Sequence, residues 1–425
     1  MVCATILRST YRWGPTVANY NIVALGPSGS GKTVFLASLF HNLTEGQFAD
    51  GIKGRTKLAQ SAWLEEKYRE LSDPTAPFGI GNDPGEAMRQ VDLTLMVERT
   101  RSRWFGLGQP QLISFSPLTI TYIDYAGEWL TEGHLHDKKL LDEFESRIDN
   151  AHFVICFVDG LRLLKFLQDS AADPTFLRDS MRPVLEHSAG RPVVVVITKW
   201  DLLADSYALS DVIKVLMDKR VTGLHSFVQT RTGRPSIHHR PTGGVWIVPV
   251  SATGSRFATM TKDGIIEKSG TGAPAPTNIT VPFSVGMIEI SRIGLAAVKR
   301  AQADAAKVTH RAPTGGSGGN IALRTVDSGL TVGFAGLTLD VKQILSFTAA
   351  IGSGTVQIVA GPGKRIARVI RRQYRRISSR GLDGVSSDEG ALMYLALAFR
   401  KALNGFESEF TGARIFANAQ EWTDQ

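Results

Sequence analysis

Cysteine is nearly absent from this 425-residue chain, with Cys3 near the start and Cys156 inside an apolar run. Two such thiols give no disulfide framework, which suits a reducing compartment and makes the cytoplasm the expected location. Long apolar runs are missing as well. The opening MVCATILRSTYRWGPTVANY lacks a stretch of export-signal type, so no segment is set aside before fold reasoning. The uncharged stretch from Gln343 to Gly363 is rich in Gly, Ser, Thr, Gln and Pro, whereas a membrane span needs about 20 predominantly apolar residues. It is expected to be a buried or interfacial segment. Acidic residues are scarce towards the end: residues 291–425 hold 18 Lys/Arg against 10 Asp/Glu, and the preceding residues hold 30 of each sign. The net charge of +8 therefore falls wholly in the C-terminal third.

Apolar, strand-like runs recur at 19–25, 91–97, 118–124, 152–158, 192–198 and 245–250, with helix-like segments between most of them. The unbroken apolar character of HFVICFV and PVVVVIT predicts strands buried on both faces, while VDLTLMV alternates as an edge strand would. The expectation is an α/β fold, a mostly parallel sheet with helices on both faces. TKLAQSAWLEEKYREL adds a helix after the first strand, a closing helix is expected from about Ser284 to Lys307, and PTGGSGGN (313–320) reads as a flexible linker. The organisation expected is an N-terminal extension (1–18), a nucleotide-binding domain (19–310) with an insertion around 50–117, and a basic, partly helical accessory domain (311–425).

Gly26-Pro-Ser28-Gly29-Ser30-Gly31-Lys32-Thr33 fits the P-loop pattern, follows a predicted strand and opens a helical stretch from Val34 to Asn42. In such a loop the amides cradle phosphates, Lys32 reaches the β and γ phosphates and the Thr33 hydroxyl binds Mg²⁺. Asp124-Tyr-Ala-Gly127-Glu128 closes the 118–124 strand, where an acidic residue can make a second Mg²⁺ contact and Gly127 can offer its amide to the γ-phosphate. Thr198-Lys199-Trp200-Asp201 is similar to the guanine-reading motif of GTPases, in which an aspartate accepts from N1 and N2 of the base, and Thr198 stands where many members carry Asn. Ser251-Ala252 matches the loop that offers a backbone N–H to guanine O6. All four groups fall at the ends of predicted strands, where open α/β sheets bind ligands.

On GPSGSGKTVFLASL and DYAGEWL the chain resembles TRAFAC-class P-loop GTPases, most closely the bacterial double-GTPase and YcjX-like groups, over about residues 19–310. The resemblance implies a Ras-like fold, binding of GTP/GDP with Mg²⁺, slow GTP hydrolysis and a regulatory switch acting on a protein partner. A second nucleotide site is not expected, because Gly361-Pro-Gly-Lys364 lacks the upstream Gly and the following Ser/Thr. Glu128 stands where many small GTPases have Gln. Either it orients the attacking water, or it is a switch residue only and hydrolysis needs help from elsewhere. Thr75, in a loop before the alternating strand, is the candidate for the switch threonine that senses Mg²⁺ and γ-phosphate, beside the plainer reading of a turn residue.

Arg99, Arg101 and Arg103 near a hairpin tip read as a solvated loop, with an arginine finger as the alternative. Neither His134/His136/Asp137 nor His238/His239 has metal-ligand spacing. The stretch 364–377 places Ile366, Val369, Ile370, Tyr374 and Ile377 on one helical face with arginines around the rest. Residues 364–380 could thus meet an anionic membrane surface, nucleic-acid phosphates or an acidic protein, beside the plainer reading of a helix packed on its own domain with a solvated arginine face; the first gives the alternative function, a membrane-associated scaffolding or mechanical GTPase, peripheral at the inner face. Nucleic acid ranks last, because no aromatic-interleaved recognition module is present.

Overall fold

A computed structural model describes residues 18–76, 78, 88–101, 110–125, 138–169, 174–188, 190–232, 244–261, 266–268, 273–308, 323–326, 329–334, 337–340 and 363–415. The first half runs β1 (Ala18–Leu25), α1 (Lys32–Thr44), β2 (Ile52–Arg55), α2 (Leu58–Ser72), β3 (Met88–Arg101), β4 (Gln111–Tyr125), α3 (Lys138–Asp149), β5 (Phe153–Val158), α4 (Gly160–Gln168) and α5 (Thr175–His187). There follow β6 (Val193–Ile197), α6 (Leu209–Met217), α7 (Leu224–Thr232), β7 (Val245–Pro249), β8 (Ala258–Met260), β9 (Ile266–Lys268) and α8 (Val281–Val308). The chain then forms β10 (Leu323–Val326), β11 (Gly329–Phe334), β12 (Leu337–Asp340), α9 (Gly363–Arg380), α10 (Asp388–Glu409) and β13 (Arg414–Ile415).

The fold is mixed α/β around an eight-stranded sheet in the order β13-β7-β6-β5-β1-β4-β3-β2. Strands β7, β6, β5, β1 and β4 are mutually parallel, while β13, β3 and β2 run antiparallel to their neighbours β7, β4 and β3. Every side chain of β5, β6 and β7 is buried, so both faces of the sheet are covered there. Helix α1 adds Phe35, Leu36, Leu39, Phe40 and Leu43 to this core, each contributing about 1.5–3 kcal/mol on burial.

Several expectations change. The alternating run at 91–97 is not an edge strand: β3 lies between β4 and β2, and the edge is the four-residue β2, too short to stand out as a pattern. The alternation comes instead from a half-covered antiparallel strand, in which Val91, Leu93 and Leu95 point into the core. The strands expected at 91–97 and 118–124 extend to 14 and 15 residues, because each pairs with the other along a hairpin with one irregularity between Leu95 and Val97. Helix α10 runs on to Glu409 with Phe406 buried, and its N-cap is Ser387, whose side chain accepts from Gly390 N at 3.2 Å. On α9, Ile370 and Ile377 are buried, whereas Val369 is 56% exposed, so the buried arc is narrower than the apolar one.

The residues around 50–117 supply β2, α2, β3 and the start of β4, and thus extend the main sheet. Beyond 311, β13 joins the same sheet through β7, and α9 and α10 contribute to the same core cluster as β1 and β5. Among the described residues no helix is long and apolar enough to cross a membrane. The linker at 313–320 and the segment from Gln343 to 362 lie outside the described residues, as do residues 1–17 with Cys3.

Candidate functional site

At the carboxyl end of β1 the chain turns through Gly26 to Gly31 and enters α1. Gly26 passes so close to β5 that a Cβ would stand 2.7 Å from the Phe157 carbonyl oxygen, and Gly31 adopts φ +87°, a left-handed conformation that favours glycine. Gly31 is the N-cap of α1 and no side chain caps the helix, the form of helix N-terminus that binds anions. Ser30 is fully buried and its Oγ has no hydrogen-bond partner, while Ser28 and Gly29 are exposed on the rim. The Lys32 ammonium folds into the loop, donating to the carbonyls of Gly26 at 2.8 Å and Pro27 at 3.1 Å.

Parallel pairing of β1 with β4 sets Ala24 beside Asp124, which brings the carboxylate level with the loop. The Thr33 hydroxyl donates to Asp124 Oδ2 at 3.2 Å, and Thr33 and Asp124 are 9% and 1% exposed. A hydroxyl and a carboxylate oxygen are hard donors, the type that Mg²⁺ takes rather than a softer metal. Among the described residues no cluster of three or more His, Cys, Asp or Glu could hold a metal ion.

The loop after β6 closes over the same turn. Thr198 Oγ1 lies 2.8 Å from the Ser30 carbonyl oxygen and 3.2 Å from that of Val158, so this hydroxyl ties the β6 end to the glycine loop. Lys199 has φ +52°, uncommon for a residue with a Cβ, and its ammonium donates to Gly29 O at 3.1 Å and Asp159 Oδ1 at 2.9 Å. Asp201 sits in a 3₁₀ turn, Trp200–Leu202, with Oδ1 buried and without a hydrogen-bond partner. Burial pushes the Asp201 carboxyl above its ordinary range, and a hydrogen bond with the Ser251 side chain acts in the opposite sense.

Ser251 in turn accepts from Gly254 N at 2.7 Å and bridges Thr277 through both backbone groups. The neighbouring Ala252 carbonyl accepts from Ser38 Oγ on α1 at 3.2 Å, and Trp200 N donates to Val250 O at 3.1 Å. Hydrogen bonds thus connect the 26–33 loop, Thr198–Asp201 and the 251–254 loop into one assembly at the carboxyl ends of β1, β6 and β7.

Thr75 is placed differently. It is exposed, and both its amide and its hydroxyl donate to Asp73 Oδ1, at 2.8 and 2.7 Å, in a turn that follows α2. That is the geometry of the plainer reading, an Asx turn. Arg99 reaches across to the Asp383 carbonyl at 3.3 Å, so it braces the hairpin against the segment after α9. Gly127, Glu128, Arg103, the histidines at 134, 136, 238 and 239, and Asp137 lie outside the described residues.

Sequence reasoning missed Asp159, Ser38 and Thr277. Asp159 is 5% exposed, caps α4 by accepting from Leu161 N at 2.9 Å, and holds Lys199 with the same oxygen. Its signal was available: an acidic residue at the carboxyl end of a buried parallel strand, the position Asp124 occupies on β4. No protein-family model matches the chain, and no curated protein matches it.

Proposed function

We propose that the chain is a guanine-nucleotide-binding protein that hydrolyses GTP with Mg²⁺ and works as a nucleotide-dependent switch on a protein partner, on a Ras-like variant of the α/β fold. The observation that carries this reading is the half-buried Asp201 side chain, bonded to Ser251, whose buried Oδ1 is an acceptor without a hydrogen-bond partner. A desolvated carboxylate of this kind is costly unless donors satisfy it. Guanine offers the N1 and N2 donors together, and adenine offers no such pair. Lys199 stretched over Gly29 supplies a flat aliphatic stem beside the base, and Ala252, fixed from both sides, is suited to present its amide to O6.

In this reading the 26–31 amides and Lys32 take the β and γ phosphates, and Thr33 with Asp124 holds Mg²⁺, whose charge offsets that of the phosphate oxygens. Hydrolysis adds water at the γ-phosphorus, breaks its bond to the bridging oxygen and leaves GDP and phosphate. A carboxylate at position 128 accepts from water but donates nothing to phosphate, which fits slow turnover without a partner.

Calorimetric titration of GDP, a slowly hydrolysed GTP analogue and ATP with Mg²⁺ tests the assignment on the intact chain and on Asp201→Asn. Guanine-only binding, lost in the variant and partly restored with xanthine nucleotides, is expected. Equal or preferred binding of ATP would overturn the guanine assignment.

A further inference from the structure

Helix α9 carries Lys364, Arg365, Arg368, Arg371, Arg372, Arg375, Arg376 and Arg380 and no acidic residue. Its apolar side is already occupied: Ile370 and Ile377 are each 2% exposed in the core, and Gln373 donates to Ser387 Oγ at 2.8 Å. Arg371, Arg372, Arg375, Arg376 and Arg380 all face solvent. Among the described residues no carboxylate lies within ion-pair distance of any of the five, and among their side chains Arg376 alone makes a hydrogen bond, to Ser386 Oγ at 3.2 Å. Five like charges on one helix face repel one another, so the face is set to meet a polyanion.

The angular spread of the charges says which kind. At about 100° per residue, Arg371, Arg375, Arg372, Arg376 and Arg380 follow one another around roughly half of the helix cylinder. A planar lipid surface meets only the crest of such a ridge, and the apolar side that would enter the bilayer is buried. A groove walled by phosphates on both sides meets the crest and both flanks. The helix cylinder, about 10–12 Å across, matches the major groove of B-form DNA, about 12 Å wide, whereas the major groove of A-form RNA is too narrow to admit it. The absence of an aromatic module bears on single strands, whose bases stack on rings; duplex phosphates need only cations.

We propose that the exposed arginine face of α9 is a docking surface for the major groove of duplex DNA, held chiefly through the phosphate backbone. Guanidinium groups suit this contact because each can pair with a phosphate through two N–H donors.

The test is fluorescence anisotropy of a labelled 20-base-pair duplex with the full chain, titrated with salt, against the triple variant Arg372→Gln, Arg375→Gln, Arg376→Gln. All three positions are exposed, so the variant keeps the core, and its melting curve checks this. Five phosphate contacts predict a log–log salt slope of about −4.5, a loss of roughly 500-fold in affinity from 50 to 200 mM salt. The variant should show a slope of about −1.8, a loss of roughly 12-fold over the same range. Vesicles of phosphatidylcholine and phosphatidylserine, and a single strand of equal length, serve as the other arms. No duplex binding at 50 mM salt, an unchanged slope in the variant, equal binding of the single strand, or binding confined to the vesicles would each overturn the proposal.

Discussion

Glu289 on α8 is 3% exposed and gathers four donors from three parts of the chain. Its Oε1 accepts from Trp246 Nε1 at 3.1 Å, Arg292 Nη1 at 2.7 Å and Arg414 Nη2 at 2.9 Å, and its Oε2 meets Gly244 N at 3.4 Å. Arg414 also lies over the Trp246 ring, 5.4 Å from its centroid, and belongs to the edge strand β13. Glu289→Gln keeps the volume but removes the charge that two guanidiniums share. Breaking a fully buried pair costs about 3–5 kcal/mol. The side chains of Arg292 and Arg414 are 38% and 23% exposed, so water recovers part of this, and about 2–3 kcal/mol is expected.

Urea unfolding measures the loss, and a double-mutant cycle with Arg414→Met should return a coupling of about 1 kcal/mol or more. Hydrogen exchange gives a local readout. Ile247 N donates to Ala413 O at 2.8 Å, so its protection should fall if β13 is released. A Glu289→Gln variant within about 0.5 kcal/mol of the parent, or additive effects with Arg414→Met, would refute the view that this carboxylate pins the C-terminal strand.

Asp159→Asn keeps an acceptor for Leu161 N but removes the charge facing Lys199, whose side chain is 27% exposed. Stability should fall by about 1 kcal/mol and, on the proposed function, guanine-nucleotide affinity by about tenfold; Asp159→Ala should cost about a further 1 kcal/mol through the lost cap. Unchanged titration curves in both variants would remove Asp159 from the site. A pH effect is expected at His152, whose Nδ1 accepts from Asn21 N at 3.0 Å. Burial, reinforced by Arg191, pushes its imidazole from 6.5 down to about 4, so between these values the unfolded chain binds more protons than the folded one. Its contribution is fully present above about pH 6.5 and is lost as pH falls towards 4, amounting to roughly 3 kcal/mol. Unfolding curves of the parent and His152→Gln should diverge across this window, and parallel pH profiles would contradict it.

The buried parallel strands and the glycine loop were legible because their causes are local. An unbroken run such as VVVVI has no polar side to turn outward, and Gly31 before Lys32 and Thr33 announces a left-handed turn into a helix. Position at strand ends also singles out Asp124, Thr198, Asp201 and Ser251 without any contact. What could not be read rests on pairing across long separations. The inner place of β3 depends on a β2 of only four residues, and the role of Thr198 depends on the Ser30 carbonyl, 168 residues away. Thr75 had the residue type and a loop position before the alternating strand, while the bond of its hydroxyl to Asp73, two residues earlier, is a contact that residue type alone does not announce. Asp159 was passed over because its partner, Lys199, is 40 residues distant and belongs to another motif.

Residues on the far side of the linker expected at 313–320 enter the same core cluster as the strands before it. Ile377, Leu392, Leu395, Phe399, Leu403 and Phe406, all after that linker, are 0–3% exposed. Their burial contributes on the order of 10 kcal/mol, comparable to the whole net stability of a typical domain. The same segment reaches the candidate site, since Phe410 meets the Trp200 ring edge-on at 6.4 Å, directly beside Asp201. Trp200 N is held by Val250 O, and β7, which leads into that loop, is flanked on its outer side by β13. The turn carrying Asp201 is thus positioned by β6, by the 251–254 loop and by the C-terminal helix at once. A chain ending near 310 would lose one of these three supports together with the packing of α10 on β4, so the basic C-terminal third is part of what shapes the site rather than an appendage to it.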